Sequence, residues 1–506
     1  MRIATLLLVL IPLAYAAPLD LDQPTRTSKR ASNVQPFNVA NPGPTPAFIP
    51  PADAIILPLS QVVLLVGATA GSLTTTLTDA LNNLLKTTTG LVGTVGGLLP
   101  PPLCGLLKAC PPTTPPPSPP TLPNCLNSTN TEQEINSLFS YGGANTTVFL
   151  CPGSTLSLSQ PIQFTAPNQT LTTRLDSIQS LSSNNYATLK LVNSQQACAI
   201  YTVDPGRDFA KVTQIKVDGN RPGLGYLQGG LALMEMGGTN KGQVVDKVIA
   251  FEPRAWSTLH MIEGNQLSCD GAVVTNSQFG PAGTDTACTP TDQFNPNGPC
   301  PGGYWADGIS LACRNAYVSG NTITDATDGA IVVFQSPGST ITGNTIISSK
   351  RQLLGGINSV DYFPFGGTYT GTKVVNNVLS AQGAMMKVGI AIGPLAWSDV
   401  NNTRTFDGEW SGNTFTSSGN GYFGYGMMMA GHNNGIAQDN KFSNANFGGI
   451  VTGSCLPNLP DVGPMYRNQY TTPGATLSSA WQQGGAFGFS ICRGPSSSPT
   501  KTGVNL

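Results

Sequence analysis

The chain has few charged residues, which make up 10% of its 506 residues, and its formal net charge is −1. Proteins that bind nucleic acids or anionic membranes usually present a basic face, and this composition offers none. Nucleic acid is therefore not an expected partner. Acidic polymers also tend to meet basic grooves, so the low charge weighs against a polyuronate substrate.

After its first residues the chain lacks any apolar run of the ~20 residues that a membrane-spanning helix needs. The best candidate, residues 55–66, is interrupted by Pro58 and Gln61. No membrane span is therefore predicted.

The first residues have the pattern of a secretory signal peptide. Arg2 precedes an apolar run over residues 3–13, and Ala-Tyr-Ala follows, which predicts a signal peptide over residues 1–16. A second cut after Lys29-Arg30 would make residues 17–30 a propeptide, although such a basic pair is as often simply solvated. The expected location is extracellular, free or in the cell wall.

Cysteines and glycosylation sequons agree with secretion. The eleven cysteines, in an oxidising compartment, predict disulfides with one thiol left over, Cys198. Four Asn-x-Ser/Thr sequons predict N-glycans at Asn127, Asn145, Asn168 and Asn401. The expected disulfide pairs are Cys104–Cys110, Cys125–Cys151, Cys269–Cys313, Cys288–Cys300 and Cys455–Cys492.

The composition and pattern of the sequence change near residue 125. Residues 31–99 are of low complexity, with one amphipathic helical stretch after Leu73, and residues 100–124 are a proline-rich linker of extended chain. Residues 125–492 alternate short β runs with Gly, Asn and Asp, which predicts one β domain. The remaining residues, 493–506, are expected to be a flexible tail.

A recurring motif within this domain predicts a solenoid. Each copy has an Asn followed two residues later by an apolar side chain, as in "SGNTIT" and "TGNTII". Periods near 22 residues with variable insertions are typical of solenoids. The segments 280–306 and 351–373 are expected to be excursions from the coils. The motif asparagines are Asn321, Asn344, Asn377, Asn413 and Asn440, spaced by 23, 33, 36 and 27 residues.

The strands are too short for propeller blades, and no helical period supports an α/β fold. The sequence therefore predicts an all-β fold, a right-handed parallel β-helix. The motif asparagines are expected at corners, where the backbone enters the left-handed region. Their side-chain amides are expected to form a hydrogen-bonded ladder between stacked coils.

With its "GSTLSLSQPIQF", "IKVDGNR" and "NTI" corners, the chain resembles the pectin-lyase-like superfamily of secreted β-helix proteins over residues 131–492. The resemblance implies a polysaccharide hydrolase or lyase. "WADGISL" at Asp307 and "ATDGAIVV" at Asp328 are similar to two catalytic segments of the polygalacturonases. The Gly-His-Gly and Arg-Ile-Lys motifs of those enzymes are missing, and Thr327 replaces the first Asp of their Asp-Asp pair.

Asp307 and Asp328 are predicted to lie at equivalent or near-equivalent places on successive coils, where one carboxyl group of a close pair gains the raised pKa of a general acid. The alternative is that each Asp-Gly is only a turn. The predicted substrate contacts are Trp305, Lys350, Arg351, Asp361 and Tyr362.

Several aromatic residues beside Gly, Pro or polar neighbours are expected to be exposed near loops. His260, one of two histidines with His432, is expected to be a hydrogen-bonded core or edge residue. The aromatic set is Trp256, Trp305, Trp397, Trp410, Tyr362, Phe363 and Tyr422.

The leading hypothesis is a monomeric secreted polysaccharide hydrolase that uses Asp307 and Asp328, with no cofactor and no metal. One alternative is a non-catalytic glycan-binding surface or cell-wall protein. Another is a polysaccharide lyase, in which Arg314, Lys350 and Arg351 supply the base and neutralise a carboxylate.

Overall fold

The structure is a computed structural model. It describes residues 125–175, 182–284, 305–397, 403–451, 459–485 and 493–506. The predictions for residues 1–124, for the sequon at Asn401 and for the disulfides Cys104–Cys110, Cys288–Cys300 and Cys455–Cys492 lie outside the described residues.

Helix α1 (Glu132–Gly142) opens the described domain. Thr131 caps it: its hydroxyl accepts from the Glu134 N–H, and its own N–H donates to the Glu134 carboxylate at 2.6 Å. Its apolar face buries Ile135 and Phe139 against the first strands. The further helices α2 (Arg221–Leu224) and α3 (Pro394–Trp397) are single turns, as are the 3₁₀ segments Ser183–Asn185 and Asn265–Leu267.

The strands form three long parallel sheets, named A, B and C, and each coil of the chain contributes one strand to each sheet in turn. Sheet A contains β1 (Thr147–Leu150), β4 (Thr170–Thr173), β7 (Lys211–Thr213), β10 (Val244–Asp246), β13 (Val273–Thr275), β16 (Tyr317–Ser319), β19 (Thr340–Thr342) and β22 (Lys373–Val375). Sheet B contains β2 (Thr155–Leu158), β5 (Ala187–Leu191), β8 (Ile215–Asp218), β11 (Ile249–Phe251), β14 (Gln278–Phe279), β17 (Thr322–Thr324), β20 (Thr345–Ser348), β23 (Val378–Ala381), β26 (Thr414–Ser417) and β30 (Lys441–Ser443).

Sheet C is the largest, with 13 strands. It contains β3 (Ile162–Gln163), β6 (Ile200–Tyr201), β9 (Met234–Gly237), β12 (Ser257–Ile262), β15 (Asp307–Leu311), β18 (Gly329–Val333), β21 (Leu353–Ser359), β24 (Met385–Ile392), β27 (Tyr422–Met429), β31 (Ala445–Phe447), β33 (Gly463–Asn468), β35 (Gln482–Gly484) and β37 (Lys501–Val504). Three two-stranded pairs accompany the long sheets: β25 (Thr405–Phe406) with β28 (His432–Asn433), β29 (Ile436–Ala437) with β34 (Thr476–Leu477), and β32 (Ile450–Val451) with β36 (Arg493–Gly494).

Side-chain alternation along these strands creates the core. In sheet A one residue of each strand points inward and stacks on its counterpart in the next coil, while its neighbours face outward. The inward row of sheet A is Val148, Leu171, Val212, Val245, Val274, Val318, Ile341 and Val374, all nearly inaccessible to solvent. This stacking confirms the predicted parallel β-helix.

The motif asparagines form the predicted ladder between sheets A and B. Asn344 donates from Nδ2 to Oδ1 of Asn377 at 2.9 Å, and Asn377 donates in the same way to Asn413 at 3.1 Å. The same Oδ1 atoms also accept backbone N–H groups, for example from Asn344 to Asn377 at 3.0 Å. The ladder runs from Asn321 through Asn344, Asn377 and Asn413 to Asn440.

The left-handed backbone conformation was predicted at the ladder asparagines, and this is wrong: it occurs one residue earlier. The left-handed conformation belongs to the residue that precedes each ladder asparagine, as at Gly320 with φ 67°, Gly343 with φ 64° and Asn376 with φ 57°. Glycine and asparagine tolerate this region best. The preceding residue thus turns the chain, and the ladder asparagine is left to hold the coils together.

The cysteine predictions that fall on described residues are confirmed. Cys125 is bonded to Cys151, and Cys269 is bonded to Cys313 on the neighbouring coil. Cys198 is a buried free thiol.

Two predicted boundaries differ from the structure. Residues 351–373 are not one excursion, because β21 occupies Leu353–Ser359 and pairs with β18 and β24. The predicted flexible tail, 493–506, instead forms β36 and β37, which run antiparallel to β32 and β31. The tail forms strands because the unpaired backbone groups at the end of a sheet offer hydrogen bonds to a returning segment.

Candidate active site on sheet C

The outer face of sheet C is covered along its central strands. In β15, β18, β21, β24 and β27 every residue is buried, whereas the strands of sheets A and B alternate between buried and accessible positions. Polar side chains collect beneath this cover. We call Glu235, Ser257, His260, Asp307 and Ser310 the sheet C polar cluster; they lie on three neighbouring strands, β9, β12 and β15.

Glu235 and His260 form a buried hydrogen-bonded pair in this cluster. They face each other across β9 and β12, with His260 Nδ1 2.5 Å from Glu235 Oε1. The second carboxylate oxygen of Glu235 accepts the Ala232 N–H at 3.0 Å. The alternation Met234-Glu235-Met236 explains the placement, since the two methionines fill the core and the glutamate points outward.

The charge of the pair follows from its surroundings. Burial alone would lower the pKa of His260, but the adjacent Glu235 charge and its hydrogen bond outweigh burial, and the more distant Glu263 and Asp307 add to them. The pKa of His260 is therefore raised above its usual value. His260 is a buried, hydrogen-bonded histidine, as its strand context indicated.

One side of the imidazole points away from Glu235. Within the part of the chain that the structure describes, His260 Nε2 has no hydrogen-bond partner. The half-buried indole of Trp256 packs edge-on against the ring, with 4.8 Å between centroids. The ring is therefore fixed at Nδ1 and by the indole.

Asp307 lies on the coil after His260, and its carboxylate binds neighbouring groups. Oδ2 accepts the Ser310 hydroxyl at 2.8 Å, and Oδ1 accepts the Gly329 N–H of the next coil at 2.9 Å. Ser310 Oγ is also 2.8 Å from Ser257 Oγ. Asp307 is wholly buried, so this carboxylate ties β15 to β18.

Asp307 and Asp328 lie at near-equivalent places on successive coils. Ile309 pairs with Ile331, which places Asp307 opposite Gly329. Asp328 immediately precedes β18, and its N–H donates to the Ala306 carbonyl at 3.2 Å.

Lys350 and Arg351 do not continue the row of the aspartates. They lie at the turn from sheet B to sheet C, where their N–H groups and that of Ser349 donate to the Asp325 carboxylate at 2.7–3.2 Å. Arg351 Nη2 binds Glu252 Oε1 at 2.6 Å, while Lys350 is exposed. Arg351 is therefore part of a structural ion pair.

The other predicted contacts lie on different loops. Half-buried Trp305 packs against an outer cluster on sheet C that includes Leu354, Val388 and Trp397. Asp361 is buried, and its backbone carbonyl accepts from the Gln335 side chain at 2.9 Å. Tyr362 packs edge-on against Phe363, which is 60% exposed.

Three of the seven aromatic residues are not exposed near loops. Trp397, Trp410 and Tyr422 are buried, because segments outside the strands cover sheet C and the adjoining corner. Trp410 Nε1 donates to Ser359 Oγ at 3.0 Å, so its polar atom is satisfied inside the protein. Arg314, a candidate of the lyase alternative, stacks over the ring of Phe365.

The second histidine has no open side. His432 Nε2 donates to the Asp407 carbonyl at 2.7 Å, and Nδ1 is 2.7 Å from the Thr405 hydroxyl. Burial lowers the pKa of His432 to about 4. It is therefore a neutral structural residue, packed against Trp410 and Tyr369.

Glu235 was not among the sequence-predicted site residues. No local motif marks it, since its partner His260 lies 25 residues away. The sequence did contain a signal. Glu235 stands between two core methionines in Met-Glu-Met, and one coil later His260 stands between two core residues in Leu-His-Met. This pattern on successive coils places both side chains on one outer face.

Among the described residues, no group of three or more His, Cys, Asp or Glu side chains is arranged to hold a metal ion. No helix in the same ranges is long and apolar enough to cross a membrane.

Comparisons with known proteins bear on the fold and not on the chemistry. No protein-family model and no curated protein matches the chain. It is similar to the solved A-module of a mannuronan C-5 epimerase from Azotobacter vinelandii, with 12% identity over 70% of this chain and 97% of that chain and a TM-score of 0.36. An endo-xylogalacturonan hydrolase from Aspergillus tubingensis gives 12% identity over 71% and 92%, with a TM-score of 0.37. A DFA-IIIase from Arthrobacter chlorophenolicus gives 11% over 71% and 93%, with a TM-score of 0.40. At such values the likeness says nothing about the reaction, and the assignment of the fold stands on the strand register.

Proposed function

We propose that this chain is a secreted carbohydrate-active β-helix protein that hydrolyses an extracellular or cell-wall polysaccharide on the outer face of sheet C. The observation that carries the proposal is the sheet C polar cluster, where two carboxylates, an imidazole and two hydroxyls lie on three successive strands. Burying ionised groups is costly, so a fold keeps them chiefly where they are paired or used in chemistry.

Hydrolysis of a glycosidic bond generally requires a proton donor and a carboxylate that serves as base or nucleophile. Asp307 is the first candidate for the carboxylate, because it lies in the cluster and its charge acts on His260. Asp328 is the second candidate, because it immediately precedes β18, just as Asp307 is the first residue of β15. Trp256 and Trp305, both half-buried, are the proposed surfaces for sugar rings.

A second candidate function is glycan binding without catalysis. It is favoured by the state of Asp307, which is buried and already accepts from Ser310 and Gly329. A lyase is supported less, because Arg351 is paired with Glu252 at the corner between sheets B and C.

The test measures new reducing ends and unsaturated products from a panel of neutral and acidic plant and fungal polysaccharides. We expect reducing ends without unsaturated products. Asp307→Asn should lower the rate at least tenfold, and Asp328→Asn should lower it less. The matched control is Asp439→Asn, which changes an exposed aspartate at a corner of the coil with φ 54°, where asparagine is well tolerated.

Each outcome decides between the candidates. Unsaturated products would indicate a lyase. Retention on insoluble polysaccharide without turnover would support the glycan-binding alternative. Asp307→Asn and Asp328→Asn variants that are both as fast as wild type would remove the two aspartates from the mechanism. A wild-type protein that neither binds nor cleaves any polymer would overturn the proposal.

A further inference from the structure

We infer that Glu235 and His260 are the proton-donating pair of this site: His260 gives a proton from Nε2 to the leaving glycosidic oxygen, and Glu235 positions the imidazole. This inference rests on the proposed function and adds two residues to it. It follows from the geometry of the sheet C polar cluster.

The first step of the argument is that the ring is held in one orientation. His260 Nδ1 is 2.5 Å from Glu235 Oε1, and the Ala232 N–H fixes the other carboxylate oxygen at 3.0 Å. Trp256 packs edge-on against the ring. A proton donor needs such a fixed direction, because transfer requires hydrogen-bonding distance and alignment.

The second step is that the outer nitrogen is available. Nε2 of His260 has no hydrogen bond to any residue of the described ranges, whereas both nitrogens of His432 are bonded. His432, which braces the fold, has both nitrogens bonded within the protein. On His260, Nε2 is the nitrogen left to donate to a substrate oxygen.

The third step is that the charges around the ring suit an acid. Glu235 from β9, Glu263 after β12 and Asp307 from β15 all favour the imidazolium. Cys198 and Tyr201 lie beside Glu235, and burial together with nearby negative charge raises the pKa of both, which keeps them neutral. These charges therefore stabilise the protonated form of His260.

The step balances with water as the co-reactant. The bond between the anomeric carbon and the bridging oxygen breaks, and the leaving oxygen takes the proton from His260 Nε2. A bond forms between the anomeric carbon and a water oxygen, and the proton released by that water passes through a base or solvent and restores the imidazolium. One water is consumed, and one glycosidic bond becomes two hydroxyl groups.

The test uses the full-length protein with Glu235→Gln and His260→Gln, and measures kcat and the pH profile on a polysaccharide that wild type cleaves. His260→Gln should lower kcat about 100-fold or more, the usual contribution of a positioned acid. Glu235→Gln removes the charge that raises the pKa of His260, so the fall in rate at alkaline pH should move to lower pH. The matched control is Glu409→Gln, a half-buried glutamate outside the site, which should leave the pH profile unchanged.

A structural role for the pair would lower the melting temperature without moving the pH profile, which would contradict the inference. If His260→Gln fails to fold, the shift in Glu235→Gln decides instead. An active wild type whose two variants keep full rate and an unshifted profile overturns the inference while the proposed function stands. A wild type inactive on every polymer overturns both.

Discussion

Two polar rows run along this β-helix and differ in how completely they are bonded. In the asparagine ladder, Asn344, Asn377 and Asn413 each donate to the next amide and accept from the coil before. In the sheet C polar cluster, His260 is bonded at Nδ1 and has no partner at Nε2 among the described residues. Burial and periodicity alone therefore do not distinguish structural polar residues from residues of the candidate active site.

Disrupting the asparagine ladder should cause the largest loss of stability. Asn377→Ala removes an oxygen that accepts the Asn344 N–H at 3.0 Å and a nitrogen that donates to the Ile341 carbonyl at 3.0 Å. Buried groups left without partners cost about 1–3 kcal/mol each, so we expect a loss of about 3 kcal/mol in the free energy of unfolding. Urea denaturation measures it.

The control for the ladder is Thr345→Ala, a half-buried position on the outer face of sheet B. It should change the free energy of unfolding by under about 0.5 kcal/mol. If Asn377→Ala were as mild as this control, the ladder would not be a source of stability.

The two histidines should titrate on opposite sides of their usual pKa of 6.5. The Cε1–H resonances measured by NMR from pH 4 to 8 report both, and His260→Gln assigns them. His432, with a pKa of about 4, should stay neutral through pH 5–6.5, while His260 stays charged. Two resonances that move together near pH 6.5 would contradict the distinction.

These directions fix the pH dependence of stability. Because the pKa of His260 is raised on folding, its contribution is complete below pH 6.5 and is lost as pH rises through the folded value. Because the pKa of His432 is lowered, its contribution is complete above pH 6.5 and is lost as pH falls towards about 4.

Breaking the ion pair between Arg351 and Glu252 should have the smallest effect on stability. Arg351→Met breaks its contact with Glu252, and since both side chains are partly exposed, we expect a loss of about 1 kcal/mol or less in the free energy of unfolding. Lys350→Met, at the exposed neighbouring position, is the control and should be neutral. Activity should survive in both variants, and its loss in Arg351→Met alone would restore the lyase alternative.

The coils could be predicted from the sequence because the ladder asparagines repeat at fixed places in a period. The site could not, since its residues come from separate coils. Asp307 and Asp328 share the Asp-Gly pattern, but the bonds of the Asp307 carboxylate to Ser310 and Gly329 are not revealed by any local motif. Glu235 and His260 meet because one full coil returns the chain to the same outward position. The burial of Trp397 depends on the cover over sheet C.

Strand β37 limits how this molecule can associate. A β-helix that ends in a bare parallel strand offers its edge to the first coil of another molecule, and repetition of that contact builds a filament. Here Lys501–Val504 runs antiparallel to β31, so the edge of β31 is occupied by a strand of the wrong polarity for a further parallel coil. At the opposite end, α1 lies against β1, β2 and β3. Among the described residues, the edges of the first coil and of β31 are therefore both covered.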